Sequence, residues 1–124
     1  MAEIRSEVPL LIAFVDLTRF GAQSQRTDDL ELAETIDAYY EHVGAAVRAG
    51  GGSVVKFEGD AALIVFPATA VDRGVEALLA LKDSVDDLMA RRGWEVRARF
   101  KKHTPPITYI RLQDPRRSRS ATHA

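Results

Sequence analysis

No cysteine occurs among the 124 residues, so the chain forms neither a disulfide nor a thiolate metal site, and any metal must be held by oxygen or imidazole. Oxygen ligands favour magnesium, manganese or calcium. Long apolar runs are missing as well. The longest, Val8 to Val15, is far short of the roughly 20 residues that cross a bilayer, and it follows Glu3 and Glu7 with no cleavage signal. This predicts a cytoplasmic protein without a membrane span. A large net charge is also absent, the formal value being −1. With 28% charged and 46% hydrophobic residues, the composition is that of a soluble globular chain and excludes collagen-like and wholly disordered classes. The length suits one domain with a real core and is too short for two.

The near-neutral total conceals an asymmetry. Residues 1 to 94 carry 9 Lys or Arg against 16 Asp or Glu, whereas residues 95 to 124 carry 8 against 2. From Thr104 onward the chain has three prolines and no sustained period. The reading is therefore a folded domain over 1–103 and a basic, poorly ordered tail over 104–124. No aromatic interleaving accompanies the tail's arginines, so nucleic acid is not an expected partner.

Before the tail, hydrophobic periodicity alternates between strand and helix. Val8 to Val15 is a nearly unbroken apolar run, as expected of a strand buried on both faces. Asp28, with Glu31 three residues later, opens a helix in which Leu32, Ile36, Tyr39, Val43 and Val47 recur at helical spacing. Gly50-Gly51-Gly52 ends it. In Ser53 to Glu58, strict alternation places Val55 and Phe57 on the buried face. Gly59-Asp60 is a tight turn into a second continuous apolar strand, Ala61 to Phe66. A second helix spans roughly 71–90, with Leu78, Leu79, Val85 and Met89 on its apolar side. Trp94, Val96, Ala98 and Phe100 then alternate with charged residues, which predicts a fourth strand.

The order strand, helix, strand, strand, helix, strand is that of α+β, ferredoxin-like βαββαβ domains: a four-stranded antiparallel-type sheet with two main helices on one face. Strands one and three, the continuous apolar runs, belong in the middle. A right-handed crossover makes strands one and two parallel, so the end of the first and the turn after the second share one rim. Asp16 and Asp60, 44 residues apart, are expected to meet there. Either aspartate alone is most simply turn chemistry. Paired, with the loop from Leu17 to Ala22 beside them, they suit a divalent metal and a polyphosphate.

These segments resemble the catalytic domains of class III adenylate and guanylate cyclases. Phe14-Val15-Asp16-Leu17-Thr18-Arg19-Phe20-Gly21 is similar to that family's first motif, and Gly51-Gly52-Ser53-Val54-Val55-Lys56-Phe57-Glu58-Gly59-Asp60-Ala61 to its second. His103-Thr104 is a weaker echo of a third. The resemblance covers about residues 8 to 104. It implies two Mg²⁺ or Mn²⁺ ions on Asp16, Asp60 and the Leu17 backbone carbonyl, with Thr18, Arg19, Phe20 and Gly21 near the phosphates. It further implies conversion of ATP or GTP to a 3′,5′-cyclic nucleotide and pyrophosphate in cyclic-nucleotide signalling. Lys56 resembles the family's purine-reading residue, which favours ATP over GTP. In the family that lysine serves a site formed across a homodimer, so a second copy or a complete cyclase chain is the expected partner.

The sequence departs from the family at several points. Arg19 stands where a small residue, commonly Gly, is usual; Gly21 replaces Thr or Ser; and Lys101 replaces a Gly. No counterpart of the family's later Asn and Arg is found, so no catalytic residue is assigned. The expectation is a shortened cyclase domain, weak or inactive by itself. The alternative is a cyclase-like module that binds nucleotide or protein without turnover.

Overall fold

The computed structural model describes residues 5–102 and 108–113, and the side chains of residues 10–101. The elements follow in the order β1 (Arg5–Leu17), α1 (Phe20–Gln25), α2 (Asp29–Ala49), β2 (Ser53–Glu58), β3 (Ala61–Pro67), α3 (Val71–Arg91), β4 (Ala98–Lys102) and β5 (Thr108–Gln113). A single 3₁₀ turn, Ala68–Ala70, leads into α3. The sheet order is β2-β3-β1-β4, so the two continuous apolar runs lie in the middle and the alternating ones at the edges. All pairings are antiparallel.

Both long helices lie against one face. Asp28 caps α2 as its spacing predicts, its side chain accepting the Glu31 N–H at 2.9 Å. The buried stripe of α2 is Thr35, Tyr39, Val43, Gly44 and Val47, and that of α3 is Gly74, Leu78, Leu81, Val85 and Met89. These stripes meet Leu11, Ala13, Val15 and Leu17 of β1 and Ala62, Ile64 and Phe66 of β3 in one core. Leu79, expected on the apolar side of α3, is 66% exposed, and Leu81 takes the inward position. Among the described residues no helix lies over the other face of the sheet, where Phe14 on β1 is 43% exposed. Continuous apolar character therefore marks a central strand without requiring equal cover on both faces.

Three elements differ from the sequence reading. In β2, a bulge between Val54 and Lys56 shifts the register, so Val54 pairs with Ile64 while Lys56 pairs with Leu63. The extra residue reverses the alternation: Val55 is exposed, and Val54 and Phe57 pack on the core. The fourth strand begins only at Ala98, because its partner β1 ends at the opposite residue, Leu17. Trp94 and Val96 nonetheless remain buried. Finally, Thr108–Gln113, which composition assigns to a disordered tail, forms β5 along the N-terminal half of β1, from Arg5 opposite Gln113 to Leu10 opposite Thr108. Strand β1 is long enough to pair with β4 through Ala13–Leu17 and with β5 through Arg5–Leu10. The prolines around this segment mask the β-forming run Thr-Tyr-Ile. His103 and Thr104, like residues 114–124, lie outside the described residues.

Candidate functional site

Strand β1 delivers Asp16 to the sheet face opposite α2 and α3, since the inward positions are Val15 and Leu17. Asp60 arrives from the β2–β3 turn. Its Oδ2 accepts the Leu17 N–H at 2.8 Å, which places the two carboxylates at the same end of β1. This is the rim at which the crossover argument expects them to meet. Among the described residues no further Asp, Glu or His joins them in a cluster able to hold a metal.

Asp60 is held from beneath by two tyrosines of α2. Tyr39 donates its hydroxyl to the Asp60 carbonyl at 2.8 Å, and Tyr40 donates to the Gly59 carbonyl at 2.5 Å. The Tyr40 ring stacks on Phe57 with centroids 4.1 Å apart. Tyr39 is fully buried, and its pKa is driven above the ordinary tyrosine value first by burial and then by the negative charges of Asp60 and Asp16. It therefore acts as a neutral donor. The sequence reading counts Tyr39 only as a core residue; the overlooked signal is that a buried tyrosine hydroxyl needs a partner.

Gly59 gives the turn its shape. It occupies the first central position of a two-residue hairpin with φ of +61°, which glycine adopts without strain. A Cβ there would meet nothing within 4 Å, so Gly59→Ala is a test of backbone strain alone. The expected cost is about 1 kcal/mol of unfolding free energy, read by urea titration.

Asp16 has a different partner. Arg99, directly opposite in the β1–β4 ladder, donates Nε to Oδ1 and Nη2 to Oδ2, each at 3.0 Å. This two-pronged pair draws the Arg99 pKa upward, the hydrogen bond to Asp16 being the largest cause. The sequence reading assigns Arg99 no role, because only the register of β4 reveals which residue it faces.

The remaining candidates are spread around the rim. Thr18 binds the approach to β4: its N–H donates to the Arg97 carbonyl at 2.9 Å and its Oγ1 accepts the Arg97 N–H at 3.0 Å. Phe20 starts α1 and turns toward the core, with its ring 6.3 Å from Trp94. Gly21, also in α1, has open space at its Cα. The expected Leu17–Ala22 loop is thus reduced to Thr18 and Arg19 before α1 begins. Lys56 projects from β2 on the same sheet face as Asp16, but two strands away, and its ion pair is with Glu58 at 3.8 Å.

Arg19 is the one described non-glycine residue at positive φ, +60° with ψ of 23°. A left-handed conformation costs an L-residue about 1 kcal/mol, which glycine avoids at some cost in chain entropy. Arg19→Gly is therefore expected to raise stability by about 0.5 kcal/mol in a urea titration. The conformation also gives a physical reason for a small residue in the corresponding motif position.

No protein-family model and no curated protein matches the chain. Solved structures do. The adenylyl cyclase CyaB from P. aeruginosa superposes with a TM-score of 0.74 at 14% identity, covering 88% of this chain and 67% of that one. A bacterial light-regulated adenylyl cyclase gives 0.75 at 18% identity over 89% of this chain and 33% of the other. The guanylate cyclase domain of RhGC from Catenaria anguillulae, solved in complex with GTP, gives 0.70 at 19% identity over 88% and 69%. This chain thus spans between one third and about two thirds of the length of these relatives in structure. Its fold is that of adenylyl and guanylyl cyclase catalytic domains.

Proposed function

We propose that the protein is a cyclase-type palm whose Asp16–Asp60 rim binds a divalent metal together with a nucleoside triphosphate. The observation that carries this reading is the hydrogen bond from the Leu17 N–H to Asp60, which brings the Asp60 carboxylate to the end of β1 that carries Asp16, 44 residues away in the chain. The donor chemistry fits magnesium or manganese: two carboxylates and the Leu17 carbonyl are hard oxygen ligands, and Asp60 makes no second side-chain hydrogen bond among the described residues. Bound there, such ions supply charge stabilisation for in-line attack of a ribose 3′-hydroxyl on the α-phosphorus with pyrophosphate leaving.

The chain's own part is positional. Tyr39 and Tyr40 fix the turn that carries Asp60, and the ladder fixes Asp16. Lys56 is 62% exposed on the same sheet face as Asp16, and its proposed role is to read a purine presented by a second copy of the chain. A two-chain site is the corresponding proposal for partner and turnover, and the resemblance at Lys56 favours adenine.

The test is to incubate the purified chain with Mn²⁺ and ATP or GTP, measuring equilibrium nucleotide binding with and without metal and cyclic product by chromatography. Metal-dependent binding is expected. Binding without product identifies a module that holds nucleotide without turning it over. The absence of binding under all conditions overturns the proposal.

A further inference from the structure

We infer that Arg99 is a tethered counter-cation of Asp16, which a divalent ion must displace before Asp16 can ligate it, so that this side chain sets the metal affinity of the rim. The inference rests on Asp16 and Asp60 being metal ligands, as proposed above, and adds an unequal division of labour between them.

The asymmetry lies in their partners. Asp60 gives one oxygen to a neutral backbone N–H, a contact that leaves its charge available to a cation. Asp16 has both oxygens engaged by one guanidinium, at 3.0 Å each. A planar fork of this kind matches a carboxylate edge to edge and is stronger than a single-point contact. It also fixes a positive charge beside the position that a metal would occupy.

The contact is built into the sheet. Asp16 and Arg99 are direct cross-strand partners, so their side chains leave the backbone on the same face, one strand apart. The competitor cannot be removed by deprotonation, because an arginine stays charged throughout the working pH range. It can be removed by exchange: the two side chains are 56% and 36% exposed, and such pairs are held weakly enough to open. Asp60 is accordingly the ligand ready for a first encounter with the ion, and Asp16 is gained only when Arg99 swings away.

A unit charge about 5 Å from a divalent ion in a water-like dielectric lowers its affinity by roughly tenfold. The experiment is a titration of the full chain with Mn²⁺ alone, free ion being measured by electron paramagnetic resonance. Arg99→Gln is expected to tighten Mn²⁺ binding about tenfold. Arg97→Gln removes an equal charge from a neighbouring position whose ion pair is with Asp86, and is expected to change binding by less than about twofold. In the Asp16→Asn background, Arg99→Gln is expected to give a smaller gain, because no carboxylate is then released and only the repulsion between the guanidinium and the ion is relieved.

Unchanged or weaker Mn²⁺ binding in a folded Arg99→Gln protein overturns the inference, as does an equal gain from Arg97→Gln. Should Arg99→Gln fail to melt cooperatively, Arg99→Lys keeps the charge but loses the fork; about threefold tighter binding supports the inference, and no gain overturns it. Wild-type binding that is indifferent to residue 99 removes this inference alone. Absence of Mn²⁺ binding in every variant removes the metal site with it.

Discussion

Tyr39→Ala is expected to lower the unfolding free energy by about 4 kcal/mol, a large share of the 5–15 kcal/mol typical of a single domain. Tyr39 is the largest fully buried side chain among the described residues, packed between α2 and the sheet, and its deletion leaves a cavity as well as an unpaired carbonyl at Asp60. Tyr39→Phe isolates the second effect: the ring remains, the hydroxyl is lost, and the expected cost is about 1 kcal/mol. Chemical denaturation of both variants separates packing from anchoring. The same residue is expected to contribute to the loss of stability at alkaline pH. Its folded pKa lies above its unfolded value, so the stabilisation it gives is complete below about pH 10 and is lost as pH rises beyond that point, where the unfolded chain ionises first. Tyr39→Phe is therefore expected to flatten the decline between pH 9 and about 11, and an unchanged decline would show that another group dominates it.

A second large effect is expected at Asp60, where charge and hydrogen bonding can be separated. Asp60→Asn retains an oxygen able to accept the Leu17 N–H, so its stability should stay within about 1 kcal/mol of the parent. Its Mn²⁺ affinity should fall by about a hundredfold or more, because one of two anionic ligands has become neutral. Asp60→Ala removes the acceptor as well; it should lose metal to the same extent and a further 1–3 kcal/mol or so of stability. Calorimetric Mn²⁺ titration beside thermal unfolding measures both quantities. If Asp60→Asn binds Mn²⁺ as tightly as the parent, Asp60 is turn chemistry and the metal reading fails. If the two variants are equally stable, the 2.8 Å contact contributes nothing measurable to the fold.

The extent to which the sequence disclosed the fold can be traced residue by residue. Asp28 with Glu31, the stripe from Leu32 to Val47, and Gly51 at φ of +92° after α2 were all legible, because helix capping and periodicity are local. Central and edge strands were legible from continuous against alternating apolar runs. Val55 was not, because a bulge is a property of two paired strands and a single strand carries no mark of which residue will be skipped. Strand β5 was hidden for a similar reason: it exists through its ladder with β1, while the surrounding prolines speak for a loop.

The site divides along the same line. The sequence by itself determined that the chain would place one aspartate at the end of an apolar strand and another in a Gly-Asp turn, and that a βαββαβ order would bring them to one rim. These are consequences of period, turn chemistry and crossover handedness, each acting over short stretches of chain. Only the tertiary structure decided what those aspartates touch. Arg99 faces Asp16 because β4 pairs with β1 in one register; a slip of one residue would send the guanidinium to the opposite face of the sheet. Tyr39 reaches the Asp60 carbonyl because α2 packs against β2, the strand that leads into the turn carrying Asp60, at one depth. Hydrogen bonds and ion pairs are sensitive to displacements of less than an ångström, so long-range packing, which no local pattern encodes, decides between a free carboxylate and one already paired.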